Sequence, residues 1–253
     1  MVSVPDTADI VARRRDVLRV LSTPLTKPEL VEQLSISRST VDRAIDDLTA
    51  DSLVTREGSA YVTTYAGRQA LSAYDGFLDR LDALTRAQPV LDALPPEIDI
   101  DPAVLHGATV VESTMATPQA PIEAATALGT GATTLRATGP SVTPQYIDEV
   151  AELVEDDDDT ELVLTTEVFE AFSSTYDDIC GEFSAADNMA LYVTDETMPY
   201  ALWIAEKPEG TVSGIIVHTE NGVRGAIHND TETMNEWTES KYAAFKRNAD
   251  RVD

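Results

Sequence analysis

The chain has 253 residues, 43% of them hydrophobic, which is too long for one small module and apolar enough for packed cores rather than disorder. The formal net charge is −27, but residues 1–88 carry 11 Lys+Arg against 13 Asp+Glu while residues 89–253 carry 7 against 32, so the acid lies almost wholly in the second part. One cysteine, Cys180, excludes an internal disulfide framework; no apolar run approaches the roughly 20 residues of a membrane helix and no basic-then-apolar leader opens the chain, so the expected location is the cytoplasm.

The first expected helix is Asp6–Leu21, with Ile10, Val17, Leu18 and Leu21 at helical spacing. Arg13, Arg14 and Arg15 lie on its polar side, where they either touch phosphates or form a solvated face. Thr23-Pro24 ends it. Thr26 then fits an N-cap, and Glu29 three residues on closes a capping box. The second helix turns Leu30, Val31 and Leu34 inward. Ser35-Ile36 makes a turn, and Ser37 caps a third helix whose inner stripe is Val41, Ala44, Ile45 and Leu48. Arg38, Ser39, Thr40, Asp42 and Arg43 remain outside, on its N-terminal half. Leu53-Val54-Thr55 and Tyr61-Val62-Thr63 read as a hairpin around Glu57-Gly58-Ser59, with Arg56 beside the tip.

The run ELVEQLSISRSTVDRAIDDLTADSLV resembles the winged helix-turn-helix regulators of archaea and bacteria, which read ELxxxLxxSxSTVxRxIxxLxxxGLV. The resemblance implies that the third helix, residues 37–50, enters the major groove and that the wing, residues 53–64, flanks it. DNA contacts are then expected from Thr26, Lys27, Ser37, Arg38, Ser39, Thr40, Arg43, Arg56, Ser59 and Tyr61. Ser35 and Ser52 depart from the pattern: they stand where glycine is frequent, so a left-handed turn there carries a cost. The alternative is a three-helix bundle used for protein contacts.

Arg68–Leu84 is the next expected helix. Leu71, Tyr74, Leu78 and Leu81 alternate at spacings of three and four, which suits a short two-stranded coiled coil, and helix 67–88 is expected to dimerise. The other use of that stripe is packing against its own domain. Pro89, Pro95, Pro96 and Pro102 make 89–102 a stiff linker. The expected organisation is therefore a winged helix over 1–88, a linker over 89–102, and a mixed α/β domain over 103–253.

In that second domain strands at Ala108–Glu112, Thr133–Ala137, Glu161–Leu164 and Ala190–Val193 alternate with helices at Gln119–Leu128, Pro144–Val154 and Glu167–Phe183, which predicts a largely parallel sheet. Ala201–Ala205, Ser213–His218 and Gly222–Ile227 then follow closely as antiparallel additions, and helix Glu232–Ala249 closes the chain. Asp156–Asp159 reads as a solvated loop. This order, with EVFEAF after a strand, ALYVTDETMPYALWIAE and NEWTESKYAAFKRNAD, resembles the effector domain of haloarchaeal regulators related to the methanogenesis regulator FilR, itself similar to one half of a phospholipase-D-like fold. The resemblance implies a domain that senses a small molecule or mediates association. An acidic, threonine-rich chain whose only lysines are Lys27, Lys207, Lys241 and Lys246 also resembles proteins of halophilic archaea.

No catalytic set is readable, so no enzyme, cofactor or metal site is expected. Phospholipase-D chemistry uses His-x-Lys, but Thr219-Glu220 follow His218 and Asn229-Asp230 follow His228. The carboxyl ends of parallel strands are where open α/β sheets bind ligands. That rule picks out Thr138, Ser141, Thr165, Thr166 and Thr194 for a small polar ligand, with Trp203, His218 and Arg224 adding a stacking face and a charge. The other reading of these threonines is strand ends and helix caps. Taken together, the chain is expected to be a dimeric transcriptional regulator binding double-stranded DNA under control of a sensor domain. The alternative is a hydrolase carrying a DNA-targeting domain.

Overall fold

The computed structural model describes residues 3–98, 100–141, 147, 151, 159–220 and 222–252. It divides into two compact units, Met1–Leu81 and Asp82–Asp253.

The first unit is built from α1 (Val4–Val20), α2 (Lys27–Leu34), α3 (Arg38–Ala50), β1 (Val54–Glu57), β2 (Ala60–Thr63) and the start of α4 (Tyr65–Leu91). Caps set the boundaries. Thr26 N–H donates to Glu29 Oε2 at 2.7 Å in the expected capping box, and Ser37 Oγ accepts from Thr40 N–H at 3.2 Å. The apolar stripes of α1, α2 and α3 meet in one core, in which Leu18, Leu21, Leu30, Val41, Ala44 and Leu48 have at most 1% of their surface exposed. Burying each such leucine contributes about 2 kcal/mol relative to leaving it in water. Ser35 (φ 53°) and Ser52 (φ 59°) both take the left-handed conformation that the sequence pattern led one to expect at glycine-like positions. Each carries a strain of about 1 kcal/mol that glycine would not. β1 and β2 pair antiparallel from Val54↔Thr63 to Glu57↔Ala60, with Gly58 at φ 62° in the turn. Leu25 adds a bridge to Tyr61, and Thr63 Oγ1 donates to Leu18 O at 2.9 Å, which fastens the wing to α1.

Helix α4 corrects the sequence reading. It does not stop at Leu84 before a proline linker; it runs to Leu91 with Pro89 inside it. An interior proline removes one helical hydrogen bond and costs about 3 kcal/mol. Complete burial of Ala87 and Val90, with Ala83 nearly so, in the second unit's core offsets that. The expected linker itself carries core residues, since Leu91, Ala93, Leu94, Ile98 and Ile100 pack partly buried beside Val90, and just after it a turn of 3-10 helix at Pro102–Leu105 buries Val104 and Leu105.

The second unit is an eight-stranded mixed sheet with helices on both faces. Its further elements are β3 (Thr109–Glu112), α5 (Ala120–Gly129), β4 (Thr134–Gly139), β5 (Asp159–Thr165), α6 (Thr166–Thr175), α7 (Asp177–Ala185), β6 (Met189–Thr194), β7 (Ala201–Lys207), β8 (Gly210–Thr219), β9 (Gly222–Asn229), α8 (Glu232–Arg247) and β10 (Asp250–Arg251). The strand order is β10-β6-β5-β4-β7-β8-β9-β3. Among the described residues only β4–β5 and β5–β6 pair in parallel; every other pair is antiparallel. The sheet is thus mostly antiparallel, which corrects the expected largely parallel one. β3 does not join the parallel set but lies antiparallel to β9 at the far edge, Thr109↔His228 to Glu112↔Gly225. The expected helix over Glu167–Phe183 is two helices broken at Tyr176. Ser173 Oγ donates to Phe169 O and Ser174 Oγ to Ala171 O, local bonds that compete with the helical ladder just before the break. The expected helix Pro144–Val154 lies outside the described residues except for 147 and 151, as does most of Asp156–Asp159, whose last member begins β5.

The alternation along the strands separates two cores. One face carries Leu135, Leu164, Leu191, Trp203 and Ile216 under α5, α6 and α7. The other carries Val163, Leu202, Ile204, Ile215, Val217 and Ile227 against α8 and the end of α4. At Gly225 a Cβ would stand 2.4 Å from Val90 Cγ2, so only glycine lets α4 approach β9 this closely.

Candidate nucleic-acid interface and core cavity

The burial of Val41, Ala44, Ile45 and Leu48 fixes the rotation of α3, and the other side follows from it. Arg38, Ser39, Asp42 and Arg43 are exposed and Thr40 is half-buried, all on its N-terminal half. Ser37 Oγ sits 3.0 Å from Ser39 Oγ and 2.8 Å from Thr40 Oγ1, a knot of hydroxyls at the helix start. The positive end of the helix dipole and its free N–H groups favour an anionic phosphate there. Arg43 Nε donates to Ser39 O at 3.1 Å, which leaves the rest of its guanidinium fork exposed. In the wing, Arg56 Nε donates to Gly58 O at 2.9 Å, and Arg56 and Ser59 are exposed beside the turn. Thr26, Lys27 and Tyr61 come together next to α3: Lys27 Nζ lies 5.7 Å from the centre of the Tyr61 ring.

Lys27 is not free. Its Nζ donates to Asp42 Oδ1 at 2.7 Å, and this hydrogen bond raises the ammonium pKa above its ordinary value. Arg14 and Arg15 are also engaged, the first with Asp47 at 2.8 Å and the second with Asp75 at 2.6 Å, while Arg19 reaches the same Asp75 at 3.0 Å. Two of the three α1 arginines left open by the sequence thus tie α1 to α3 and α4 rather than standing ready for phosphates. Asp42 was among the outward residues in the sequence, but nothing local shows that it would hold Lys27 from the neighbouring helix.

The second set of expected site residues divides. Thr165 Oγ1 caps α6 by accepting from Val168 N–H at 3.3 Å. Thr166 Oγ1 donates to Asp195 Oδ1 at 2.5 Å, and Thr194 Oγ1 to Asn248 O at 3.1 Å. Arg224 lies on β9 toward the sheet edge and pairs with Glu112 at 3.2 Å. Thr138, Ser141 and Trp203, in contrast, line one cavity of about 100 Å³, and Ser141 Oγ lies 3.0 Å from His218 Nε2. Burial holds the His218 imidazole below its ordinary pKa, against a smaller opposing effect of the Ile216 backbone, so it is neutral at neutral pH.

The cavity walls are mainly apolar, among them Leu135, Leu162, Leu164, Phe172 and Phe183. No charged side chain lines it among the described residues. Thr138 Oγ1 is already occupied, accepting from Leu202 N–H at 3.0 Å. Trp203 is 7% exposed, and its Nε1 meets no hydrogen-bond partner among the described residues. A void of this size costs about 2 kcal/mol, and an unpaired buried N–H about 1–3 kcal/mol more. Strand-end hydroxyls suggested a polar pocket; the signal for an apolar one is the small residues Ala125, Gly129, Ala137, Gly139 and Ala201 on three elements of that face. Among the described residues no group of three or more His, Cys, Asp and Glu is placed to hold a metal ion, and no helix is long and apolar enough to cross a membrane.

Two family models match the chain. The methanogenesis regulatory protein FilR1 middle domain covers residues 118–248, just over half of it, and the HVO_A0261 N-terminal domain covers residues 6–86. No curated protein matches it. Solved structures show faint likenesses. TrmBL2, an archaeal chromatin protein, is 11% identical with a TM-score of 0.46, over 99% of this chain and 100% of that one. HmgR of Pseudomonas aeruginosa is 15% identical with a TM-score of 0.27, over 95% and 96%. IclR of Thermotoga maritima is 11% identical with a TM-score of 0.21, over 94% of each. At these scores the three structures carry no argument.

Proposed function

The chain belongs to the FilR1 middle-domain family, and from that premise we propose that it is a DNA-binding transcriptional regulator whose first unit reads promoter DNA and whose second unit responds to a small molecule. The observation that carries this reading is the N-terminal half of α3, where Arg38, Ser39 and Arg43 stand exposed above a fully packed inner stripe. In the reading, α3 lies in the major groove, with Arg38 and Arg43 contacting guanine edges or phosphates, and Arg56 and Ser59 follow the backbone from the wing. Thr26, Ser37, Thr40 and Tyr61 are assigned to phosphates. Residues 1–88 would carry DNA binding and dimerisation, and 103–253 effector sensing, in the cytoplasm. The effector domain is read as a non-catalytic counterpart of one half of a phospholipase-D-like fold, because neither His218 nor His228 has the lysine that phosphoryl chemistry uses there. No observation favours the rival reading of a hydrolase with a DNA-targeting module.

Dimerisation is proposed through α4, with a shifted seam. Leu71 and Tyr74 of the expected stripe pack into the winged-helix core. Phe77 (53% exposed) and Leu81 (43% exposed) lie one helical turn apart on this helix.

The test is fluorescence anisotropy with the DNA upstream of the protein's own gene against a scrambled duplex. Arg38→Ala and Arg43→Ala should each weaken specific binding by about tenfold or more, in line with 1–3 kcal/mol per base-reading arginine, with circular dichroism unchanged. Specific binding that survived the double substitution intact would overturn the assignment of α3.

A further inference from the structure

Among the described residues, the core under α5, α6 and α7 is built of apolar side chains and holds a cavity beside Trp203. Interiors are normally packed as densely as organic crystals, so a void of about 100 Å³ needs a cause. The cause is local and repeated. Ala125 and Gly129 on α5, Ala137 and Gly139 on β4 and Ala201 on β7 all present little or no side chain to the same space. A leucine at one of these positions would fill most of it. Trp203, a wall residue, keeps a buried indole N–H without a partner among the described residues.

We propose that this cavity is a binding site for a small uncharged molecule, about one ring in size, apolar over most of its surface and carrying one hydrogen-bond acceptor for the Trp203 indole N–H. Size sets the first condition: an apolar void of about 150 Å³ takes up benzene, and one of this order holds a single ring but not a lipid chain or a nucleotide. Charge sets the second. With no cationic or anionic side chain among the described wall residues, a carboxylate or ammonium would find no charged partner among them. The free donor sets the third, since a carbonyl or ether oxygen turns an unsatisfied N–H into a hydrogen bond. The Ser141–His218 pair at one side of the cavity adds a neutral polar rim where a second weak polar group could rest. The ligand is therefore not the small polar molecule that hydroxyl-rich strand ends suggest. The proposal gives a chemical class to the sensing role proposed for the second unit, and rests on that role only for the effect on DNA.

The full-length protein, labelled with nitrogen-15, tests it. The chain has two tryptophans, so its indole N–H spectrum holds two signals, and Trp237→Phe assigns the one from Trp203. Cyclohexanone should move the Trp203 signal downfield saturably and leave that of Trp237 in place. Cyclohexane should bind without the downfield shift, and cyclohexanecarboxylate should not bind. Ala125→Leu, which fills the void from α5, should weaken cyclohexanone at least tenfold; Ala137→Val serves if that variant does not fold. No saturable shift up to the solubility of the ketone, equal binding by the filled variant, or binding of the carboxylate as tight as the ketone would each overturn the site. DNA affinity measured with and without cyclohexanone separates the two ideas. A saturable Trp203 shift with unchanged DNA binding supports the site and removes the sensing role.

Discussion

Lys27 is among the residues expected to contact DNA, yet Asp42 of the helix beside it already holds its ammonium at 2.7 Å. The pair is exposed, so it contributes little to stability. Its effect falls on binding, because a phosphate must compete with a carboxylate for the same ammonium. Asp42→Asn should therefore tighten DNA binding by about three- to tenfold at low salt, through a released phosphate contact, with an unchanged melting temperature; weaker binding would mean that Asp42 itself reads a base. Protonation acts on the second unit. Burial lowers the pKa of His218 and, against a smaller opposing effect of Asp230, of His228, so the unfolded chain takes up protons before the folded one does. That stability is present above the unfolded histidine value near 6.5 and is lost as pH falls through it. Glu161 behaves alike lower down. Burial raises its pKa, but hydrogen bonds from Lys246 and Tyr242 and the charges of Lys246 and Arg136 outweigh that, and the group ends below its ordinary value of 4.5. Its contribution is present above about pH 4.5 and fades below. Thermal melts should fall between pH 7.5 and 5.5, with a smaller fall in His218→Gln, and fall again below pH 4.5, with that second step reduced in Glu161→Gln.

At the scale of elements, the winged helix was legible because its signals are local. Capping residues lie within three positions of what they cap, and the stripe of α3 repeats within four. The left-handed turns at Ser35 and Ser52 were legible for the same reason. The place of β3 was not, since its partner β9 lies more than 100 residues later and no short-range pattern records that pairing. Pro89 misled because burial of its neighbours outweighs a propensity that reads as a stop. The cavity was illegible because it is made by small residues on separate elements, which look unremarkable one at a time. In α4, Leu71 and Tyr74 of the expected stripe pack into the winged-helix core, while Phe77, outside that stripe, is exposed. Phe77→Glu with Leu81→Glu should convert a dimer to a monomer in sedimentation and reduce operator affinity, while the melting temperature of the winged helix holds. A wild-type monomer would remove α4 as the seam.

For the whole molecule, charge decides how DNA is approached. The net charge of −27 belongs almost entirely to residues 89–253, so the reading end is close to neutral rather than basic. Each phosphate neutralised adds about 0.9 to the slope of log affinity against log salt. With Arg14, Arg15 and Lys27 engaged internally, few cations remain for this. The slope should lie near −3 or shallower, against about −10 for a strongly basic repressor, so that fit in the groove carries more of the affinity. A measured slope steeper than about −6 would contradict that distribution of charge.

Val90 pressed against Gly225 has a practical corollary for anyone dissecting the chain. Ala83, Ala87 and Val90 complete the second unit's core, so the place to cut is set by that core and not by the prolines. A fragment beginning at residue 103 would open a trough over Ile215, Val217 and Ile227; it should bind hydrophobic dyes and aggregate, whereas one beginning at residue 82 should melt cooperatively. Equal melting of the two fragments would show that the helix end is dispensable.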